Sequence, residues 1–113
     1  MTGQKSVESI NVIEAKAKLE AGAVAIDTAP ISSWAGGHVP DSLSMPMESI
    51  SFRYTELPEE AVLVFFSEDG TKSFAAAEKA LTLGFGEVYN VNGGTRAWLA
   101  AGYEMEAFGS RIM

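Results

Sequence analysis

Apolar residues fall along this chain in short bursts separated by polar, glycine-bearing breaks. Ala23–Asp27 (AVAID) and Ala61–Phe66 (AVLVFF) are almost uninterrupted apolar runs, the pattern of strands covered on both faces. Glu87–Val91 (EVYNV) reads as a further strand and Leu43–Met45 as a weaker one. Between these runs the periodicity turns helical. Val12, Ile13, Ala15, Ala17 and Leu19 predict a short amphipathic helix, opened by Asn11 with Glu14 as its capping-box partner and stopped at Gly22. Ser73–Leu83 is an alanine-rich helix stopped at Gly84, and Thr95–Ala101 is a helix carrying Trp98 and stopped at Gly102. Met47–Tyr54 reads as a helical turn or two before the break at Pro58. Pro30–Asp41 reads as a turn-rich connector with Trp34 as its anchor.

Strands and helices therefore alternate, with connections of a few residues. That order predicts an α/β domain, a parallel sheet of four or five strands with helices on both faces and with Ala61–Phe66 and Ala23–Asp27 central. Residues 1–7 are expected to be a loose N-terminus. The tail 104–113 still carries Met105, Phe108 and Ile112, so part of it is expected to pack.

At 113 residues the chain has room for one domain, and its 47% hydrophobic and 20% charged residues are ordinary globular usage. Charge changes the picture more. Eight Lys and Arg against 15 Asp and Glu leave −7, which speaks against nucleic acid and anionic membranes as partners and leaves a basic protein surface open. The absence of cysteine excludes disulfides, thiolate zinc sites, a cysteine nucleophile and a persulfide carried by this chain. The one histidine, His38, cannot build a histidine-rich metal site, and neither a metal nor a cofactor is expected. No run approaches the ~18 apolar residues of a membrane span, and residues 1–20 lack the apolar core of a signal peptide. A cytoplasmic location is the default.

Ligands of open α/β sheets bind beyond the carboxyl ends of the strands. The segment Ser67–Lys72 (SEDGTK) leaves the most apolar strand and runs straight into a helix. A loop curled there turns backbone N–H groups inward at a helix N-terminus, a setting that favours an anion. The plain alternative is a polar connection in which Ser73 or Thr71 caps the helix. Asp27 ends a strand and is either catalytic or a partner for nearby backbone N–H groups. His38, between Gly and Pro, is either a base or a structural residue. Trp34 and Trp98 read as core anchors, and the acids of Glu56–Glu60 as a solvated face.

Four segments in order resemble the rhodanese-like family, covering the chain from about Glu8 to Tyr103. AVAID matches the strand before that family's Asp-x-Arg segment, and GGHVPDSLSMP its Gly-His-Ile-Pro-Gly-Ala-x-x-x-Pro pattern. AVLVFF-SEDGTKS matches its strand, active-site loop and helix start. GFGEVYNVNGGTRAWLAAGY matches its closing signature. The resemblance implies a rhodanese-like domain over residues 8–103, a doubly wound fold around a mainly parallel five-stranded sheet. It also implies an activity, transfer of a sulfane sulfur from thiosulfate or a persulfide by a cysteine at the first loop position, with loop amides stabilising the charge.

Here Ser67 stands at that cysteine's position, and a hydroxyl cannot hold a sulfane sulfur. Ala29 stands where the family has Arg after Asp27, removing an ion pair. Glu68 and Asp69 put two acids at the loop mouth and Lys72 offsets one of them. No Gly-x-Ser-x-Gly elbow surrounds Ser67, and the family places the one histidine in a structural segment, so serine hydrolysis is not expected. The loop has the six-residue length of sulfurtransferases rather than the longer one of the related phosphatases. Two readings follow: a non-catalytic module that binds a protein partner or small anion at loop 67–72, or a sulfurtransferase whose cysteine has been replaced by Ser67.

Overall fold

The computed structural model describes residues 4 and 6–107. Five strands, β1 (Glu8–Ile10), β2 (Val24–Asp27), β3 (Leu43–Ser44), β4 (Val62–Phe66) and β5 (Glu87–Val91), form one sheet in the order β1-β5-β4-β2-β3. Every pairing is parallel. β4 is the central strand and β2 lies inside the sheet next to it, as the two apolar runs predict.

The run in β4 is continuous because both of its faces are covered. Leu63 and Phe65 face one core with Ile50 and the alanines Ala76, Ala77 and Ala80 of α4 (Lys72–Thr82). Val64 and Phe66 face a second core with Ala15 of α1 (Val12–Glu20) and Trp98 of α5 (Gly94–Ala100). Phe66 meets Trp98 edge-on with centroids 5.7 Å apart. The small alanines let α4 lie close on the sheet, where a side chain with even one more methylene would be felt. Asn11 caps α1 as its sequence predicts, accepting from Glu14 N while Glu14 Oε1 accepts from Asn11 N, an arrangement worth about 1 kcal/mol.

Three segments differ from expectation. The connector Pro30–Asp41 contains a helix, α2 (Ile31–Gly36). Pro30 presets its entry, and the Trp34 indole N–H holds it down by donating to Ser42 Oγ and O. The edge strand β1 carries a single fully buried residue, Ile10, too few for a period-2 signal. Within residues 1–7, read as loose, Gln4 is docked against β5. Its side chain donates to Val88 O at 2.8 Å and accepts from Val88 N at 3.0 Å, and Val7 is buried.

The helical turns at residues 47–56 comprise α3 (Ile50–Arg53) between two 3-10 turns, Met47–Ser49 and Tyr54–Glu56. The tail packs over 104–107. Glu106 and His38 exchange backbone hydrogen bonds of 2.8 Å in an antiparallel bridge, and Glu104 O accepts from the Trp98 indole at 2.7 Å. Phe108 and Ile112 lie outside the described residues. No helix among the described residues is long and apolar enough to cross a membrane.

Candidate active-site loop

β4 ends at Phe66 and α4 begins at Lys72, so Ser67–Thr71 curl above the carboxyl end of the central strand. Ser67 is buried, and its hydroxyl is fully committed. Oγ accepts from Gly70 N at 3.1 Å and from Ser73 N at 3.2 Å, and donates to Ser73 Oγ at 2.9 Å. Ser73 Oγ donates onward to Asn90 Oδ1 at 2.6 Å, and Asn90 Nδ2 donates back to Gly70 O at 2.8 Å. The loop is thus closed by a relay through β5 in which each buried polar atom has a partner. Two amides already converge on the side-chain atom at position 67, the arrangement that would stabilise a negative charge there.

Asn90→Ala is expected to cost about 2–4 kcal/mol, because it strands the Gly70 carbonyl and the Ser73 hydroxyl. Urea denaturation measures the loss, and hydrogen exchange should show loop 67–72 opening before the core. A loss under about 1 kcal/mol would remove the relay as the device that holds the loop.

A second close contact shapes the loop from outside. The Gly93–Gly94 turn opens α5, and the α5 amides of Thr95 and Arg96 donate to Ser67 O and Glu68 O at 2.9 and 3.0 Å. A Cβ on Gly94 would come within 2.0 Å of Ser67 O, and its φ is +59°. Gly70 is under a similar constraint, since a Cβ there would lie 2.5 Å from Val91 O. The closing signature of the chain is therefore part of the loop's support.

The charges at the mouth balance differently from the sequence reading. Arg96 of α5 pairs with Glu68 at 2.8 Å, although both side chains are largely exposed, so the pair adds little stability. With Lys72, the mouth carries two bases against two acids. Asp69 Oδ1 accepts from Thr71 N at 3.0 Å and from Thr71 Oγ1 at 2.7 Å. These side-chain and backbone hydrogen bonds hold the Asp69 carboxyl below its usual range. Thr71 occupies the N-cap position of α4 without capping it, because its side chain is turned to Asp69. Neither Thr71 nor Ser73 is a conventional cap.

Beside Ser67 a cleft of about 340 Å³ is lined by Asp27, Thr28, Ala29, Pro30, Ser33, Gly37, Glu68, Lys72 and Thr95. Asp27 is buried at its edge. The missing arginine leaves it no cationic side chain from position 29, and the Ala29 backbone N–H donates to Oδ1 at 2.9 Å instead. Burial pushes the Asp27 carboxyl up, partly countered by that N–H and by the nearby His38. The folded state therefore binds a proton more readily here than the unfolded chain does. Asp27's contribution favours folding most at acid pH and is lost as pH rises through the folded-state value. Asp27→Asn is accordingly expected to raise the melting temperature more at pH 7 than at pH 4. Equal shifts at both pH values would show that the carboxylate is not penalised.

His38 lies away from Ser67 chemistry. Its ring stacks on Trp34 with centroids 3.9 Å apart. Nδ1 lies 2.6 Å from Trp34 O, and since a carbonyl only accepts, Nδ1 carries the proton. Nε2 faces the Glu106 carboxylate at 3.9 Å. Among the described residues no group of three or more His, Asp or Glu side chains could hold a metal ion.

Of the residues read from sequence, Ser67, Glu68 and Lys72 share the cleft with Asp27. His38 does not line it. Sequence reading missed Asn90 and Arg96. Asn90 left one signal, an amide side chain inside a strand whose neighbours are all buried.

A doubly wound parallel domain with an amide-lined loop after its central strand defines a rhodanese-type architecture. The chain belongs to the rhodanese-like domain family, whose family model matches residues 11–101. It is similar to a sulfurtransferase of Allochromatium vinosum, 34% identical over 73 residues, covering 65% of this chain and 68% of that protein. It is also similar to the thiosulfate sulfurtransferase GlpE of Pseudomonas savastanoi pv. phaseolicola, 32% identical over 87 residues, covering 77% and 82%. Among solved structures, a rhodanese-related protein from Thermoplasma volcanium superimposes with a TM-score of 0.79 at 23% identity, covering 88% of this chain and 97% of that one.

Proposed function

We propose that this domain does not transfer sulfur as it stands and acts as a cytoplasmic binding or regulatory module, with loop 67–72 as its recognition surface. The observation that carries this reading is the state of Ser67. The hydroxyl at the sulfur-carrying position is tied in three hydrogen bonds, and the one histidine is bound to Trp34 O. Among the described residues no base hydrogen-bonds this oxygen, and an alcohol oxygen cannot carry and release a sulfane sulfur.

A protein partner fits better than a small free anion. Gly70 N and Ser73 N already serve Ser67 Oγ, and Thr71 N already serves Asp69. The cleft also continues past Thr28, Pro30 and Lys72 into a hollow with Pro46, Met47 and Ala75, an apolar shoulder suited to a side chain of a partner.

A second reading, a sulfurtransferase whose cysteine has been replaced, is favoured by one observation: the amide cradle around position 67 is intact. The test of the proposed reading is a thiosulfate:cyanide assay on the unaltered chain, with mass spectrometry of the loop and a thiosulfate titration followed by amide chemical shifts. No turnover, no added sulfur and no saturable shift at residues 67–73 are expected. Turnover by the unaltered chain would end the reading.

A further inference from the structure

We infer that the cleft beside Ser67 takes the guanidinium group of an arginine side chain from a partner protein, with Asp27 as its counter-ion. The inference rests on the reading of this face as a recognition surface and names what that surface recognises. Asp27 is only 2% exposed, yet its carboxyl lacks a full set of partners. Oδ1 accepts from Ala29 N at 2.9 Å, and among the described residues nothing donates to Oδ2. Ser44 Oγ is the one sealed side-chain polar atom without a partner among the described residues. Oδ2 is therefore not sealed, and it opens on the cleft that Asp27 lines.

The described chain gives this carboxyl no cation in contact. Position 29 is alanine. His38 acts on Asp27 from nearby, but its Nδ1 proton is committed to Trp34 O and its Nε2 faces Glu106. Lys72 lines the cleft, but no hydrogen bond or ion pair joins it to Asp27. Its side chain is exposed, so water and salt screen its repulsion of an arriving cation. Burial has meanwhile raised the Asp27 carboxyl, because a charge in low dielectric without a partner is costly. That desolvation is borne on folding, so an arriving cation relieves it and adds charge-assisted hydrogen bonds. A guanidinium suits the site better than an ammonium. It is planar and weakly hydrated, and its fork of N–H donors matches the two oxygens of a carboxylate. The cleft volume of about 340 Å³ lies at the small end of the ~300–1,000 Å³ of ligand sites, room for one side chain. The cleft continues past Thr28 and Pro30 to Pro46 and Met47. Met47 is 46% exposed there, and this shoulder seats an apolar residue next to the arginine, which favours a protein as its source.

The probe is arginine capped by an acetyl and a methylamide group, titrated into the full chain and followed by amide chemical shifts. Controls are capped lysine and capped citrulline, the neutral isostere of arginine. The arginine probe is expected to give saturable shifts centred on residues 27–30, 33, 37 and 95, with a dissociation constant of about 1–10 mM. Lysine should bind more weakly and citrulline not at all. Asp27→Asn, which keeps the shape of the side chain, should weaken binding on the order of tenfold. Ala29→Arg should fill the cleft from within, abolishing probe binding and raising the melting temperature by giving Asp27 a cation. Unchanged affinity in Asp27→Asn, citrulline or lysine binding as well as arginine, undisturbed binding in Ala29→Arg, or shifts scattered over the acidic surface would overturn the inference. So would uncapped arginine binding on the order of tenfold more tightly than the probe, since the cleft would then belong to a free amino acid. A chain silent in sulfur transfer that ignores the probe loses this inference and keeps the reading of a binding module. Turnover by the unaltered chain ends that reading whatever the titration shows.

Discussion

Gly94→Ala is expected to lower the melting temperature of the domain by roughly 15 °C or to prevent folding altogether. Two penalties add at this position. A side chain at φ +59° adopts the left-handed region, at a cost of about 1–2 kcal/mol. The larger penalty is steric, because the new Cβ would stand 2.0 Å from Ser67 O and 2.7 Å from Glu68 O. These carbonyls also accept the Thr95 and Arg96 amides, so moving the loop away to make room breaks the bonds that seat it. A total of about 4 kcal/mol places the substitution among the large single-residue effects, and thermal melts by circular dichroism measure it. Gly102→Ala separates the two penalties. Gly102 has φ +83° but nothing within 4 Å of a built Cβ, so it should lose only the conformational part. Equal losses at both positions would mean that the close approach of α5 to the loop carries no energy.

Ser67→Cys is expected to give a loop that takes up sulfur. The change leaves the cradle in place. Gly70 N and Ser73 N, which now donate to Ser67 Oγ, would donate to the sulfur. The Ser73 hydroxyl could turn its proton from Asn90 toward it. Hydrogen bonding to the charged form pulls the thiol below the ~8.5 of a free cysteine. The thiolate attacks the outer sulfur of thiosulfate, an S–S bond forms, and sulfite leaves with the electron pair of the broken bond. Cyanide then removes the outer sulfur as thiocyanate and the thiolate returns. The expected results are alkylation of the variant at neutral pH, a gain of the mass of one sulfur atom after thiosulfate, and thiocyanate production above the unaltered chain. The balance of Arg96 and Lys72 against Glu68 and Asp69 removes the net charge barrier that the loop sequence suggests. A folded variant that stays unalkylated and unmodified would show that the amide cradle does not serve an anion at position 67.

The two substitutions address different properties. Gly94 tests how the loop is held, and position 67 tests what the held loop can do. Together with Asn90→Ala they separate a domain that has lost one atom of its chemistry from one whose loop has drifted.

The amino-acid sequence by itself determined the order of the major elements, the parallel α/β class, the central place of Ala61–Phe66 and the presence of serine, in a chain without cysteine, at position 67. Each of these is local. Continuous apolar runs, helical periodicity with a glycine stop, and the identity of one residue at a loop's start need no knowledge of distant neighbours. Only the tertiary structure decided what holds the loop. The Ser73–Asn90 bond spans 17 residues and the Arg96–Glu68 pair 28. Both form because parallel crossovers bring β4, α4, β5 and α5 to one end of the sheet. The same is true of β1, paired with β5 from Glu8–Tyr89 to Ile10–Val91, of Gln4, joined to Val88 across 84 positions, and of α2, whose fold rests on an indole bond to Ser42. Short segments such as these bury too few residues to leave a period. Their conformation is chosen by the surface they meet, and that surface exists only once the rest of the chain has folded.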